Sequence, residues 1–294
     1  VRGDAGRLGP LVPRRFLQVL SGSDLTPFTE GSGRLELARA ITSPDNPLTA
    51  RVIVNRVWMH HFGVGLVDSP SNFGVTGSRP SHPELLDDLT VRFVENGWSL
   101  KWLHCELLLS ATFRQSSVSG NTRQQQDVDP GNRLLSYFNR QRLEAEAVRD
   151  SLLAVSGQLD ETMGGPSGDA DLPTFKRRAL YSTISRHKLS DTLQTFDFPD
   201  PAIHCEKRSS TTTPLQQMFV LNSPFAREQS TQLADRLQNE GGSTIVDRAT
   251  FAHRLLFGRD PVDEELAIAQ EFLGVTNDGA SSSASETLLD GAAP

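Results

Sequence analysis

Residues 47 to 62 constrain the fold of this chain more than any other stretch, because they carry the start and stop signals of one helix. Asn46 can cap the first amide groups, and Pro47 is tolerated at the first helical position. Gly63 can take the left-handed conformation that ends a helix. Large side chains recur between these ends at steps of three and four residues, and they predict one buried face: Val54, Val57, Trp58, His61 and Phe62.

Polar side chains in the same helix indicate a role beyond packing. Arg51, Asn55 and Arg56 fall largely outside the buried face. An asparagine inside a helix competes with the backbone for hydrogen bonds and usually has a specific partner. We therefore expect these three residues to form either a buried ion-pair network with Asp197 and Asp200 or a preorganised binding site.

Helical patterns also dominate the remaining sequence, which predicts a mainly α fold. We expect an irregular multi-helix domain with at most a very small sheet, and a helical hairpin at its end. The best strand candidate is 178–185, where side chains alternate. Capping boxes are expected at Ser81–Glu84 and Thr213–Gln216. The other predicted helices cover 34–41, a segment that starts at 99, 141–156, a segment that starts at 223, and the hairpin 244–257 and 261–273.

Composition shifts divide the chain into three parts. Residues 1–33 read as an extended N-terminal arm with one short turn around 16–20, and 34–273 read as the helical domain, with a candidate sub-boundary at the polar linker 115–131. Residues 274–294 read as a disordered tail. The first residue is valine and no signal peptide precedes it, so the N-terminus has the character of a cut inside a longer protein.

Charge and hydropathy exclude two classes of partner. The formal net charge of -7 argues against general nucleic-acid binding, which needs a basic surface. No stretch approaches the roughly 18 consecutive apolar residues of a membrane span.

Metal and haem sites are not expected in this chain. The seven histidines are scattered, and no Cys-x-x-Cys-His motif exists for a covalent haem. His60 and His61 are adjacent, so on a helix they point about 100° apart, and we interpret them as last-turn histidines favoured by the helix dipole. Cys105 and Cys205 form either one disulfide or two buried thiols.

Two carboxylates give the one constellation that resembles an active site. Asp197 and Asp200 lie in a proline-locked turn, where aromatic neighbours could raise one pKa and leave the other carboxyl ionised. Arg208 and three threonines follow. The alternative, which we favour, is an Asp-Pro turn held by hydrogen bonds to its own backbone.

Taken together, these blocks resemble one family, the C-terminal domain of unknown function found in planctomycete cytochrome-c-associated proteins, or planctomycete-specific domain family. The resemblance covers about residues 1 to 273. It rests on Leu35-Glu-Leu-Ala-Arg39, Asn46 to Trp58, His61-Phe-Gly63, Phe73-Gly74, His82-Pro-Glu-Leu-Leu86, Ser110 to Ser116, Asn132-Arg-Leu-Leu135, Arg142-Leu-Glu-Ala-Glu-Ala147, Arg149-Asp150, Phe196-Asp-Phe-Pro-Asp-Pro201, Thr211-Thr212, Leu221-Asn-Ser-Pro-Phe225 and Gly258-Arg-Asp-Pro261.

The resemblance implies an exported, multidomain context, periplasmic or at the cell surface, with other domains of the same polypeptide as partners. One of these partners would be a cytochrome c segment, so any haem belongs to an upstream domain. The family has no established reaction, and no catalytic residue can be carried over. One departure is that the family's usual closing helix is not visible after Leu273.

Three functions are open at this stage, and the sequence does not decide whether the chain is an enzyme. The first is a noncatalytic scaffold or interaction module. The second is an extracellular enzyme acting on glycans or their fragments, with a cleft near Arg56, His82, Asp197 and Asp200. The third, a carbohydrate-binding module, lacks support because all three tryptophans fit helix packing or capping. Arg51, Asn55, Arg56, His61 and Arg208 are the candidate binding residues.

Overall fold

The computed structural model of the protein describes residue 6 and residues 9–10, 12–21, 26–117 and 127–279, with side chains described as far as residue 274. The fold is mainly α, with 48% of it in helices, as the sequence predicted. In chain order the helices are α1 (Gln18–Ser21), α2 (Arg34–Thr42), α3 (Thr49–Phe62), α4 (Pro83–Glu95), α5 (Leu100–Leu108), α6 (Ala145–Val155), a 3-10 turn η1 (Ala179–Tyr181), α7 (Asp191–Thr195), α8 (Pro214–Asn222), α9 (Pro224–Glu240), α10 (Ile245–Phe257) and α11 (Asp263–Gly279).

The strand predicted over 178–185 is wrong, and the described residues contain no strand at all. Part of that segment forms η1. Its backbone is bound by a side chain instead of by a neighbouring strand, because the Ala179 N–H donates to the Asp150 carboxylate at 2.7 Å. The remaining pairing is limited to two isolated parallel bridges, Asp160 with Arg177 and Gly168 with Ser182.

The chain separates into two compact units, residues 1–141 and 142–294. The division therefore follows Gln141, after the end of the 115–131 linker. Residues 118–126 of that linker, and several residues of the N-terminal arm, lie outside the described residues. Within the arm, α1 occupies the place where the sequence indicated a short turn.

The core of the first unit lies where α3 packs against α4 and α5. Trp58 and Phe62 of α3 stack with ring centroids 4.1 Å apart, and the edge of the Phe113 ring meets Phe62 at 6.0 Å. The fully buried aliphatic and aromatic side chains of this core include Val54, Leu86, Phe93 and Leu103. Burial of such side chains stabilises the fold by roughly 1.5–3 kcal/mol each.

Two predicted helix ends are confirmed in the first unit, but α3 begins at Thr49 with Leu48 as its N-cap, so the predicted start at Asn46 and Pro47 is wrong. Gly63 ends α3 with a φ of 81°, and Ser99 caps α5 by accepting the Trp102 N–H at 3.2 Å. The capping box at Ser81 is wrong, because α4 begins at Pro83 without a side-chain cap. The Ser81 hydroxyl instead donates to the Leu66 carbonyl at 3.3 Å, so a distant partner competes with the local one.

The second unit joins a small core to a set of longer helices. Leu193 of α7 and Phe196, the C-cap of that helix, pack with Ala145 of α6. The capping boxes of α8 and α10, at Thr213 and Thr244, are both formed. The predicted hairpin is confirmed by α10 and α11, and α11 continues to Gly279. Residues 280–294 of the predicted tail lie outside the described residues.

Both cysteines are free and exposed, which excludes the expected burial and gives no disulfide among the described residues.

Candidate functional site

The candidate residues fall into two separate groups. Arg51, Asn55, Arg56, His61 and His82 belong to the first unit. The second unit holds Asp197, Asp200 and Arg208. Each group is therefore described by its own partners.

Arg51 has a partner on the neighbouring helix of its own unit. Its guanidinium binds the Asp87 carboxylate of α4 at 2.7 Å and donates to the Pro47 carbonyl at 2.8 Å. Both contacts lie within the first unit, and the predicted network with the Asp197 turn stays a prediction. Half-exposed ion pairs of this kind contribute up to about 1 kcal/mol.

Asn55 is fully buried, with 0% of its side chain exposed, and binds the backbone of one residue twice. Its Nδ2 donates to the Val67 carbonyl at 2.9 Å, and its Oδ1 accepts the Val67 N–H at 2.8 Å. Gly65 lies beneath this pair, and a Cβ atom there would stand 2.9 Å from the Asn55 amide. The unusual asparagine inside a helix thus holds the loop that follows α3.

Arg56 differs from both neighbours. Its Nε is buried without a hydrogen-bond partner, and the guanidinium makes no ion pair with any residue that the structure describes. No described contact assigns Arg56 to a network or to a preorganised site.

His61 forms a pair that the sequence did not predict. Its Nε2 lies 2.7 Å from Nδ1 of His104 on α5, and the Phe113 ring meets it edge-on. Burial, and then the neighbouring charges of His104 and His60, lower the pKa of His61 below its ordinary value of 6.5. The lowered pKa favours the neutral form of His61, and the 2.7 Å contact with His104 is a hydrogen bond whose donor depends on the tautomers.

His82 stands at the N-cap position of α4, where its Nδ1 lies 3.0 Å from the Ser81 hydroxyl. The contact is local, between consecutive residues. It connects His82 to the start of α4 and to no other candidate residue.

Asp197 follows α7 in the left-handed conformation, with a φ of 60°. Its N–H donates to the Gln194 carbonyl at 3.3 Å, and the next N–H, of Phe198, donates to the Leu193 carbonyl at 3.1 Å. These two bonds form a Schellman motif, which glycine usually occupies at this position. An aspartate here carries a conformational cost, so its side chain must contribute elsewhere.

The Asp197 carboxylate contributes by joining the Asp-Pro turn to the start of α8. It accepts hydrogen bonds from the Thr211 N–H at 2.8 Å, from the Thr211 hydroxyl at 2.7 Å and from Gln216 Nε2 at 3.3 Å. Burial alone raises the pKa of Asp197, but these hydrogen bonds and the charge of Arg142 outweigh burial and lower it. The carboxylate is therefore ionised at neutral pH.

Arg208 is held by two carboxylates of the segment that begins α6. It donates to Glu146 at 2.8 and 2.9 Å and to Glu144 at 3.0 Å, and its guanidinium lies 5.0 Å from the centre of the Phe198 ring. The hydrogen bond with Glu146 raises the pKa of Arg208. Glu146 thus pairs with Arg208. Arg142 donates to the Thr211 carbonyl and to the Thr212 hydroxyl.

Asp200, in contrast, binds only its own turn among the residues that the structure describes. Its carboxylate accepts the Ala202 N–H at 2.8 Å, and its carbonyl accepts the Ile203 N–H at 3.1 Å. Asp197, Thr211 and Gln216 thus form one cluster, Arg208 binds Glu144 and Glu146, and Asp200 lies at the exposed surface.

Sequence reasoning missed the most buried charge in the second unit. Arg149 is 1% exposed, donates to the Arg177 carbonyl at 2.9 Å and to the Phe175 carbonyl, and lies 3.7 Å from the Asp150 carboxylate. Burial lowers the pKa of Arg149 and raises that of Asp150. The adjacent Arg149-Asp150 pair was the available signal, but its partners are distant in the chain.

Two properties of the described residues concern metal ions and membranes. Across the ranges that the structure describes, no three His, Cys, Asp or Glu side chains stand together as a metal-binding group. None of the described helices is long and apolar enough to cross a membrane.

Comparison with known proteins gives one match. A family model described as PSD1, a protein of unknown function (DUF1553), matches residues 33–273. No curated protein and no solved structure matches the chain.

Proposed function

The chain belongs to the PSD1 family of proteins of unknown function, and we propose that it serves as a noncatalytic helical scaffold or interaction module. The proposal places this module in an exported, multidomain protein, in the periplasm or at the cell surface. Its partners are other domains of the same polypeptide, among them a cytochrome c segment that carries haem. Planctomycete origin and cytochrome c association belong to the proposal through the resemblance described above.

The use of the Asp197 carboxylate is the observation that carries the scaffold proposal. A catalytic carboxylate must present an oxygen to the substrate or to a water molecule. Both oxygens of Asp197 accept hydrogen bonds from Thr211, and one also accepts from Gln216. These contacts join the end of α7 to the start of α8, which is a structural task.

The neighbouring cation supports the same conclusion. Arg208 is bound by Glu144 and Glu146 and covered by Phe198, so its guanidinium is committed to partners within the unit. Paired groups of opposite charge fix the loop 197–213 against the N-terminal end of α6. A rigid surface of this kind suits the positioning of neighbouring domains.

A pair of matched variants tests the proposal. Asp197→Asn keeps the size of the side chain and tolerance of the left-handed conformation, but it removes the charge and one acceptor. We expect a loss of about 1–3 kcal/mol in the free energy of unfolding, because hydrogen bonds to a charged group are lost. Asp200→Asn is the control, since Asp200 binds only its own turn, and it should melt like the wild type.

Equal melting temperatures for the wild type, Asp197→Asn and Asp200→Asn would contradict the scaffold role of the Asp197 cluster.

Fractionation of cells that express the full-length protein tests the exported context separately. Recovery of the protein only with the cytoplasmic fraction would contradict that part of the proposal.

A further inference from the structure

The His61–His104 pair brings two ring nitrogens together from different helices. His61 lies in the last turn of α3 and His104 lies on α5, and these two helices pack on each other in the first unit. Nε2 of His61 is 2.7 Å from Nδ1 of His104. The ring centroids are 5.0 Å apart, and the rings meet at 79°. The two nitrogens therefore face the same small space at the edge of the core.

The surroundings of His61 hold its ring in place, whereas His104 reaches the solvent. Gln141 Nε2 donates to the His61 carbonyl at 2.8 Å, and the Phe113 ring meets the His61 ring edge-on at 5.8 Å. His104 is exposed, although its neighbour Leu103 is fully buried and anchors α5. An ion and its water molecules can thus reach the pair from the side of His104.

The geometry of the two rings suits a tetrahedral metal ion. Zn²⁺ binds imidazole nitrogen at about 2.0–2.1 Å and takes four ligands in a tetrahedron. Two imidazole nitrogens on one such ion lie about 3.3 Å apart, and the centres of their rings lie about 5 Å apart. The ring centroids of His61 and His104 already have this separation. A small rotation of the exposed His104 ring opens the space between the nitrogens to the distance that the ion needs.

The number of ligands from the chain identifies the site as an open one. No group of three His, Cys, Asp or Glu side chains surrounds this point in the described ranges, so two positions of the tetrahedron are left for water. Cys105 follows His104, but consecutive residues of a helix point about 100° apart, so its thiol does not join the pair. The lowered pKa of His61 supports binding, because only the neutral ring donates a lone pair to a metal.

We propose that His61 and His104 together bind one Zn²⁺ ion, with water in the two remaining positions. Spacing along the sequence predicts no such site, because the two ligands are 43 residues apart and only the packing of α3 on α5 joins them. The ion links the end of α3 to α5 and stabilises the folded first unit, since it binds the folded chain in preference to the unfolded one. This inference is independent of the scaffold proposal.

Calorimetric titration of the whole metal-free chain with Zn²⁺ tests the site. We expect one ion per chain, and a melting temperature that rises with the zinc concentration. His61→Gln and His104→Gln each remove one of the two ligands, so each should weaken binding at least tenfold and abolish the rise. His60→Gln is the matched control, because His60 is an exposed histidine of the same helical turn. This control should bind zinc like the wild type.

A wild type that binds no zinc overturns the proposal. So does zinc binding that survives in His61→Gln and His104→Gln, or that His60→Gln weakens equally. Nuclear magnetic resonance of the wild type gives a test that does not depend on the folding of any variant. Zinc should shift the ring signals of two of the seven histidines, His61 and His104. Shifts confined to other histidines contradict the site.

Discussion

Asn55 satisfies both backbone groups of Val67, donating to its carbonyl at 2.9 Å and accepting its N–H at 2.8 Å. A single side chain inside α3 thus replaces the backbone pairing that the loop after α3 cannot make for itself. Buried backbone groups without partners are costly, so this contact fixes the path of the loop.

Asn55→Ala should lower the free energy of unfolding by about 2–4 kcal/mol, because each unsatisfied backbone group of Val67 costs about 1–3 kcal/mol. Chemical denaturation measures the change. Asn96→Ala is the control, since Asn96 binds only the Arg92 carbonyl at an exposed helix end. A loss for Asn55→Ala no larger than that for Asn96→Ala would show that the Val67 contact is dispensable.

The sequence predicted helix ends better than long-range partners, and the reason is physical. The box at Thr213 and the stop at Gly63 depend on residues within one helical turn, so a local pattern suffices. The partners of Asn55 and Arg149 lie on distant segments, and nothing local identifies them. Ser81 fails for the same reason, because the Leu66 carbonyl competes for its hydroxyl.

The sequence predicted the kind of contact in the candidate site, but not which residues make it. Sequence reasoning expected arginines and carboxylates to bind each other, and Arg208 does bind Glu144 and Glu146. The described partner of Arg51 is Asp87, and those of Asp197 are Thr211 and Gln216. Arginine has a long side chain and binds carboxylates or carbonyls from any segment that the fold brings near it. The chemical type of its partner is therefore easier to predict than the residue number of that partner.

Substitution of two arginines should lower the free energy of unfolding by very different amounts. Arg149→Met leaves the Phe175 and Arg177 carbonyls without their donor, and we expect a loss of about 2–4 kcal/mol. Arg56→Gln removes a guanidinium that has no partner among the described residues, so its loss should stay within about 0.5 kcal/mol. Thermal melts of both variants measure the difference. A strongly destabilised Arg56→Gln would reveal a partner for Arg56.

A glycine at position 197 tests whether the hydrogen bonds of Asp197 outweigh the conformational cost of its left-handed backbone. Asp197→Gly removes the conformational cost at a φ of 60° but also removes the hydrogen bonds to Thr211 and Gln216. We expect a net loss of about 1–2 kcal/mol, because hydrogen bonds to a carboxylate outweigh a cost of about 1 kcal/mol for one left-handed residue. Urea denaturation measures it. A gain in stability would show that the carboxylate contributes less than its strain.

Acidification should destabilise the first unit through His61. Its pKa in the folded protein lies below the ordinary value of 6.5, so the unfolded chain binds more protons between the two values. The stability is therefore fully present above pH 6.5 and is lost as the pH falls through the folded pKa.

Melting temperatures measured between pH 8 and pH 5 test this dependence. His61→Gln removes the titrating ring, so its melting temperature should fall less over that interval than that of the wild type. The comparison isolates His61 from the carboxylates, which titrate alike in both proteins. An equal fall in the two proteins would contradict the role of the His61–His104 pair.

The burial of Arg149 has a consequence for how the second unit opens. The loop between 160 and 185 has almost no ladder of its own, and two of its carbonyls are bound by the Arg149 guanidinium. When the guanidinium moves away from these carbonyls, the loop opens, and the N–H groups of residues 160, 168 and 183 lose their backbone hydrogen bonds together. We expect these amides to exchange with deuterium at a common rate, as one opening unit, although they lie far apart along the chain. In this loop the Arg149 side chain makes local unfolding cooperative, as the hydrogen bonds of a β-sheet do elsewhere.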